Sequence, residues 1–394
     1  MGDDSSRGVS RRNVLTTGAG LVGAALLAGC TGDGGSGDGD ASPTGASPTD
    51  TSPTSTSPTD TSYTVSMAPT GEVTFDSTPT NVTNYFPGYA DMAVALGHGD
   101  SINSVGIKSR YHTDTYDELD GVSIDKNSLT ALYQGGIDTE VFYSLGGDLH
   151  LIDPNWLLNN FSGFEQADID ELAENVAPFF GNVIFRRTDS WHDYRYYTMY
   201  EAFQKVAQVY QEQERFQAFK SFHDDFIARV QADLPPATER PNGLLCFAAG
   251  NEPELFYPYR LSDKGTNKKQ FHDLGISDAL AGSGVEGLST NDRGQIDYEA
   301  MLEVDPDSIL IRGHETKTRA EFQNTVLAFM RDHDTASELT AVQEGNVFRG
   351  GPIYEGPIQN LFLTERFASA YFPETYSGTL FDRGEVSGII TGTN

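Results

Sequence analysis

Between Arg195 and Asp233 the chain reads RYYTMYEAFQKVAQVYQEQERFQAFKSFHDDFIARVQAD, with no proline until Pro235-Pro236 ends the run. Val206, Val209, Tyr210, Phe216, Phe219, Phe222, Phe226 and Val230 recur at helical spacing, which marks one apolar face on an otherwise polar segment. The pattern predicts a single amphipathic helix of about 35 residues, roughly 50 Å long at 1.5 Å per residue. A helix of that length at mid-chain acts as a strut, and the segment 195–234 is expected to connect two separate halves.

Both halves alternate strands with helices. Before the strut, Val82–Tyr85, Ser104–Ile107, Asp148–Asp153 and Val176–Phe180 are strand candidates, with helical spacing over Tyr89–Leu96 and Ile137–Leu145. After it, strands are expected at Gly243–Ala248, Asp307–Ile311 and Asn346–Phe348. Helices are expected at Lys269–Leu280, Tyr298–Val304, Arg319–Arg331 and Ile358–Tyr371. Repeated strand–helix–strand units of this length indicate parallel sheets with helices on their faces. The expected fold is therefore α/β: a lobe over 63–194, the strut, and a second lobe over 235–394, with a cleft between lobes.

The first 62 residues read differently. Arg11-Arg12, an apolar run from Val14, and Leu27-Ala28-Gly29-Cys30 occur in the order of a twin-arginine export signal ending in a lipid-accepting cysteine. The run is shorter than the roughly 20 residues of a comfortable membrane span, which favours a cleaved signal over 1–29 and lipidation of Cys30 over an uncleaved anchor helix. Residues 30–62 hold four Ser-Pro-Thr copies and almost nothing apolar, so they are expected to remain an unfolded tether. Topology follows: the folded part lies on the extracellular face of the membrane, tied to it by lipid.

With 57 acidic and 26 basic residues the formal net charge is −31. The acids are spread along the whole chain and only eight of the bases are Lys, an acidic, lysine-poor surface resembling those of proteins from salt-loving organisms. This charge excludes nucleic acid as a partner. Once Cys30 is lipidated, Cys246 is alone in an apolar run, which leaves neither a disulfide nor a cysteine metal site. No Gly-x-Ser-x-Gly elbow, His-Glu-x-x-His or Gly-x-x-x-x-Gly-Lys occurs, so a surface enzyme is the weaker alternative. Asn81-Val82-Thr83 and Asn160-Phe161-Ser162 are N-glycosylation sequons.

Two segments match in kind. One is Asp138-Thr139-Glu140-Val141-Phe142-Tyr143-Ser144-Leu145-Gly146-Gly147-Asp148-Leu149, the other Asp297-Tyr298-Glu299-Ala300-Met301-Leu302-Glu303-Val304-Asp305-Pro306-Asp307. With Phe75-Asp76-Ser77-Thr78-Pro79, Gly88-Tyr89-Ala90-Asp91-Met92 and Gly345-Asn346-Val347-Phe348, they resemble the helical-backbone substrate-binding proteins of ABC transporters, the ferric-siderophore and vitamin B12 family. In that family each lobe carries a short helix with a Glu before a Leu-x-Pro-Asp strand entry; here Gly146-Gly147 departs from it in the first lobe. The resemblance spans about 72–373. It implies a monomeric receptor without catalytic residues, resident metal or resident cofactor, delivering a ferric chelate to a permease with its ATPase. It further implies that Glu140 and Glu299 dock on that permease.

The ligand is expected where loops leave the carboxyl ends of the strands. Those loops hold Tyr85, Tyr89, Arg110, Tyr111, Trp156, Arg187 and Trp191 in the first half, and Tyr257, Arg260, Arg312 and Tyr354 in the second. Arginine suits the negative oxygens of an iron chelate and aromatic rings cover its organic faces. Haem or cobalamin is the alternative cargo, with His112, His192 or His314 as an axial group. Tyr196-Tyr197 is a weaker candidate for gripping naked ferric ion.

Overall fold

A computed structural model describes residues 62–283 and 294–393. The expected signal segment, Cys30 and all but the end of the tether lie outside the described residues. The fold opens on an antiparallel hairpin, β1 (Tyr63–Met67) with β2 (Gly71–Phe75), whose alternation buries Val65, Met67, Val73 and Phe75.

Four short strands follow: β3 (Val82–Asn84), β4 (Ser104–Val105), β5 (Thr130–Ala131) and β6 (Leu149–Leu151). β3 pairs with β6 and β4 with β5, all parallel. Single parallel bridges, Val82–Ile102 and His150–Phe179, knit them into one open sheet. The strand expected over 176–180 is thus reduced to one bridge at Phe179. The second lobe is built on β7 (Asn242–Phe247), β8 (Tyr257–Tyr259), β9 (Ser277–Asp278), β10 (Ser308–Arg312) and β11 (Val347–Arg349), in the order β11-β10-β7-β8 with β9 also on β7. Only the β7–β8 pair is antiparallel. The two faces of this sheet enter different cores. Leu244, Cys246, Ile309 and Ile311 pack within the second lobe, whereas Leu245 and Leu310 join a core continuous with the first lobe.

The expected strut is not a single helix. Residues 195–198 are not helical, and the remainder forms two helices, Met199–Tyr210 and Gln213–Ala232. Gln211 breaks them with a left-handed backbone, φ 57°. The two pack antiparallel: Phe203 lies 5.2 Å from Phe216 and 5.7 Å from Phe219, ring to ring, and Tyr200 lies 4.2 Å from His223. Folding back buries both apolar faces, which a straight rod would have left exposed. The apolar series itself lapses here, since Tyr210 to Phe216 is a step of six. The 20-residue Gln213–Ala232 helix, about 30 Å long, makes the crossing. Arg215 near its start bonds the Leu96 carbonyl in the first lobe, and Gln231 near its end donates to the Asp273 carbonyl in the second at 3.0 Å.

The helix expected over Lys269–Leu280 ends at Asp273, because Gly275 turns the chain left-handed (φ 67°) into β9. The expected Tyr298–Val304 helix is present over those residues, and the closing helix runs Pro357–Tyr371. A further helix, Arg383–Thr391, packs on the crossing helix.

Candidate functional site

Loops leaving the carboxyl ends of the parallel strands meet between the lobes around a cleft of about 320 Å³. Tyr85 follows β3. Its ring lies over Gly106, where an added Cβ would fall 2.6 Å from the ring carbons, so only glycine permits this approach. Arg110 stands on the one-turn segment Lys108–Arg110 after β4. Trp156 is on the Pro154–Asn160 helix after β6, which Asp153 anchors: one carboxylate oxygen accepts from the Asn155 N–H at 3.0 Å. The other accepts from the Val183 N–H at 3.0 Å and the Tyr194 hydroxyl at 2.5 Å. From the second lobe come Tyr259 of β8, Lys268, Arg312 at the end of β10, and Tyr354 beyond β11.

The walls are aromatic. Trp156 lies 5.8 Å from Tyr85, 6.4 Å from Phe161 and 5.6 Å from Phe185, and Phe185 meets Tyr354 edge-on at 4.8 Å. Against them stand four cations. Arg186 lies 5.3 Å above the Trp156 ring and pairs with Asp189 through two 2.6 Å bonds. Arg110 reaches the Tyr354 hydroxyl at 3.5 Å. Arg312, 1 % exposed, donates to the Asn267 carbonyl at 2.6 Å and lies 5.4 Å from the Tyr259 ring. Lys268 is the fourth. Among the described residues lining the cleft none is a carboxylate. Such a surface matches an anion with aromatic or apolar faces.

Five of the eleven expected ligand residues line this cleft: Tyr85, Arg110, Trp156, Arg312 and Tyr354. Tyr89 and Tyr111 are placed elsewhere, fully buried in the first lobe. The Tyr89 hydroxyl donates to the Asn182 carbonyl at 2.9 Å and the Tyr111 hydroxyl meets that of Tyr116 at 3.1 Å. Arg187 turns away to the Tyr194 carbonyl, 3.3 Å, and Trp191 stacks on His192. Tyr257 and Arg260 also lie outside the lining, and Arg260 bonds the Leu280 carbonyl. Lys268, Phe185, Phe161 and Tyr133 line the cleft without having been expected there.

No histidine is in the lining. His192 is buried, and burial, the largest cause, lowers its pKa to about 4. Tyr196 and Tyr197 do not form an iron grip: the first donates to the Ile184 carbonyl at 3.1 Å and the second accepts from the Ala68 N–H at 3.0 Å. Among the described residues no three His, Cys, Asp or Glu side chains gather as a metal site. Both sequons are structurally engaged. Asn81 Nδ2 donates to the Leu145 and Gly146 carbonyls at 3.0 and 2.9 Å, and Asn160 lines the cleft while bonding the Trp156 carbonyl at 3.0 Å.

Glu140 and Glu299 occupy equivalent places. Each is exposed in the first turn of a seven-residue helix, Thr139–Leu145 or Tyr298–Val304. Asp138 and Asp297 cap these helices through bonds of 2.9 Å, the usual Asx cap. Left-handed residues, Gly146 and Asp305, end them.

A two-lobed α/β receptor with its cleft at the strand ends is the class this geometry defines. Residues 82–354 match the family model for periplasmic binding proteins. The chain belongs to the periplasmic binding protein family, whose members bind solutes outside the cytoplasm. Among similar solved structures are the iron uptake ABC transporter substrate-binding protein PiuA of Streptococcus pneumoniae Canada MDR_19A (14% identity, 78% of this chain and 98% of that one, TM-score 0.55). Another is the petrobactin-binding protein YclQ of Bacillus subtilis (14%, 79% and 99%, TM-score 0.54). A third is Helicobacter pylori CeuE with Ni(II) bound (12%, 84% and 97%, TM-score 0.55). No curated protein matches the chain in sequence. No helix among the described residues is long and apolar enough to cross a membrane.

Proposed function

We propose that this chain captures a ferric iron chelate outside the cytoplasm and delivers it to the permease of an ABC importer. One observation carries the reading. In a chain of net charge −31, the cleft gathers Arg110, Arg186, Lys268 and Arg312 against an aromatic wall, with no carboxylate among the described lining residues. A siderophore chelate presents negative oxygens and aromatic or aliphatic faces, and this lining complements both. The names of PiuA and YclQ, an iron uptake protein and a petrobactin-binding protein, support the same cargo. In this reading the protein is a monomer that performs no chemistry and holds no resident cofactor, iron arriving only as cargo. Cys30 carries the lipid anchor after twin-arginine export, and the acidic surface serves hydration in high salt. Glu140 and Glu299 present one anionic point per lobe to the permease, which fixes both position and orientation on docking.

The test is intrinsic fluorescence of the full-length chain in high salt, titrated with a ferric hydroxamate, a ferric tris-catecholate, haem and cobalamin. Trp156 lines the cleft, while Trp191, the other tryptophan, does not. Saturable quenching at sub-micromolar chelate, lost in Trp156→Phe, is the expected result. Quenching by haem or cobalamin alone would replace the cargo, and silence from all four with folded protein would refute the reading.

A further inference from the structure

Lys268 ends the one-turn segment Thr266–Lys268 and is 2 % exposed, yet it lines the cleft. Its neighbour Lys269 pairs with Asp273 at 2.6 Å. The Lys268 ammonium has no hydrogen-bond partner and no ion pair among the described residues. A largely buried lysine whose ammonium opens only on the cleft is costly to keep charged without a counter-ion in contact, and none of the described lining residues is an acid that could supply one.

We infer that Lys268 is the specificity-determining residue of the cleft, its ammonium completed by an anionic oxygen of the cargo. The inference rests on reading the cleft as a chelate receptor. It deepens that reading by requiring a carboxylate, phenolate or similar localised anion at one end of the ligand, beside Lys268 and Arg312.

The charged groups acting on Lys268 are few. Asp263 and Asp278 favour its protonated form, and Arg312 and Arg186 oppose it. Asp278 is occupied by the Ser262 N–H and hydroxyl and the Leu280 N–H, at 3.1, 2.8 and 2.9 Å. Across the cleft, burial pushes the phenols of Tyr85 and Tyr354 up. Glu355, fully buried and attracted to Arg312, is raised by burial to about 8. Burial, the largest cause, lowers Lys268 from 10.5 to about 8. An incoming anion reverses that effect, so the loaded form holds a proton that the empty form loses above about pH 8. Affinity then falls as pH rises, by about tenfold between pH 7 and pH 9, with close to one proton taken up per ligand at the upper end.

The experiment is calorimetric titration of the full-length chain with a ferric tris-catecholate, whose phenolate oxygens iron keeps deprotonated, at pH 7, 8 and 9. The expected result is the tenfold fall and proton uptake in the wild type. Lys268→Arg, charged throughout, is expected to bind equally at all three values, and Lys268→Met weakly at all three. Binding without the fall, or a fall that persists in Lys268→Arg and vanishes in Glu355→Gln, would overturn the assignment. Absence of binding would instead remove the tris-catecholate as cargo. NMR of ¹³C-methylated lysines in the empty full-length chain then decides the Lys268 assignment. Titration at the ordinary 10.5 overturns it; titration near 8 that moves up when citrate is added upholds it with another anion as cargo.

Discussion

Asp91 offers a sharp test of how the lobes are joined. It stands on the first-lobe helix Pro87–Ala95 and is fully buried. One carboxylate oxygen accepts from the backbone N–H groups of Ile358 and Gln359, at 2.8 and 3.4 Å, and so caps the Pro357–Tyr371 helix. The other accepts from the Tyr116 hydroxyl at 2.6 Å. Glycine at position 356 permits this contact, since a Cβ there would fall 2.5 Å from the carboxylate. Burial, only partly opposed by these bonds, raises Asp91 from 3.8 to about 7. The folded state therefore holds a proton that the unfolded chain has released, and the stabilisation this gives is complete below about pH 4 and lost as pH rises through 7. At about 1.4 kcal/mol for each tenfold change, a difference of about three powers of ten corresponds to about 4 kcal/mol. Asp91→Asn mimics the protonated acid, with its carbonyl facing the helix and its amide facing Tyr116. Urea unfolding of both proteins from pH 4 to 8.5 is the assay. The variant is expected to gain on the wild type by about 4 kcal/mol over this range. A difference constant to within about 1 kcal/mol, or moving the other way, would mean that the helix end holds the carboxylate ionised and that the reasoning is wrong.

Gln211→Gly relieves the left-handed backbone between the two central helices, and a gain of about 0.5–1 kcal/mol is expected from urea midpoints; a loss would show that the glutamine side chain holds the turn. Glu140→Ala combined with Glu299→Ala is expected to abolish cellular uptake of the chelate while leaving its affinity unchanged; weakened affinity would refute the docking role.

The repeat of Asp-x-Glu helices was legible because its signals are local: Asp297 caps the second copy and Asp305-Pro306 stops it, and the helix forms over Tyr298–Val304 as expected. The broken strut was not, because Tyr-Gln-Glu-Gln-Glu contains no glycine or proline at the turn. Only the six-residue step from Tyr210 to Phe216 marked it, and the antiparallel pairing of Phe203 with Phe216 and Phe219 decides it through tertiary contact. The β1–β2 hairpin went unread although its alternation is regular, since it lies beside the low-complexity tether and ahead of the α/β rhythm.

The cleft divides along similar lines. Arg312 and Tyr354 were legible because the first ends a strand of a parallel sheet and the second follows one, where side chains reach the cleft. Tyr89 and Tyr111 lie in comparable positions, yet their hydroxyls found partners inside the lobe, a choice that spacing does not encode. Lys268 was hidden by adjacency: of two consecutive lysines, one pairs with Asp273 and the other turns into the cleft. This placement reconciles a strongly acidic chain with the anionic cargo proposed for it. The dispersed surface acids act through solvent, over about 10 Å at 0.1 M salt and about 3 Å at 1 M. Lys268 and Arg312 are buried where such screening hardly reaches. High salt thus suppresses the repulsion that the surface exerts on an approaching anion and leaves the attraction inside the cleft nearly intact.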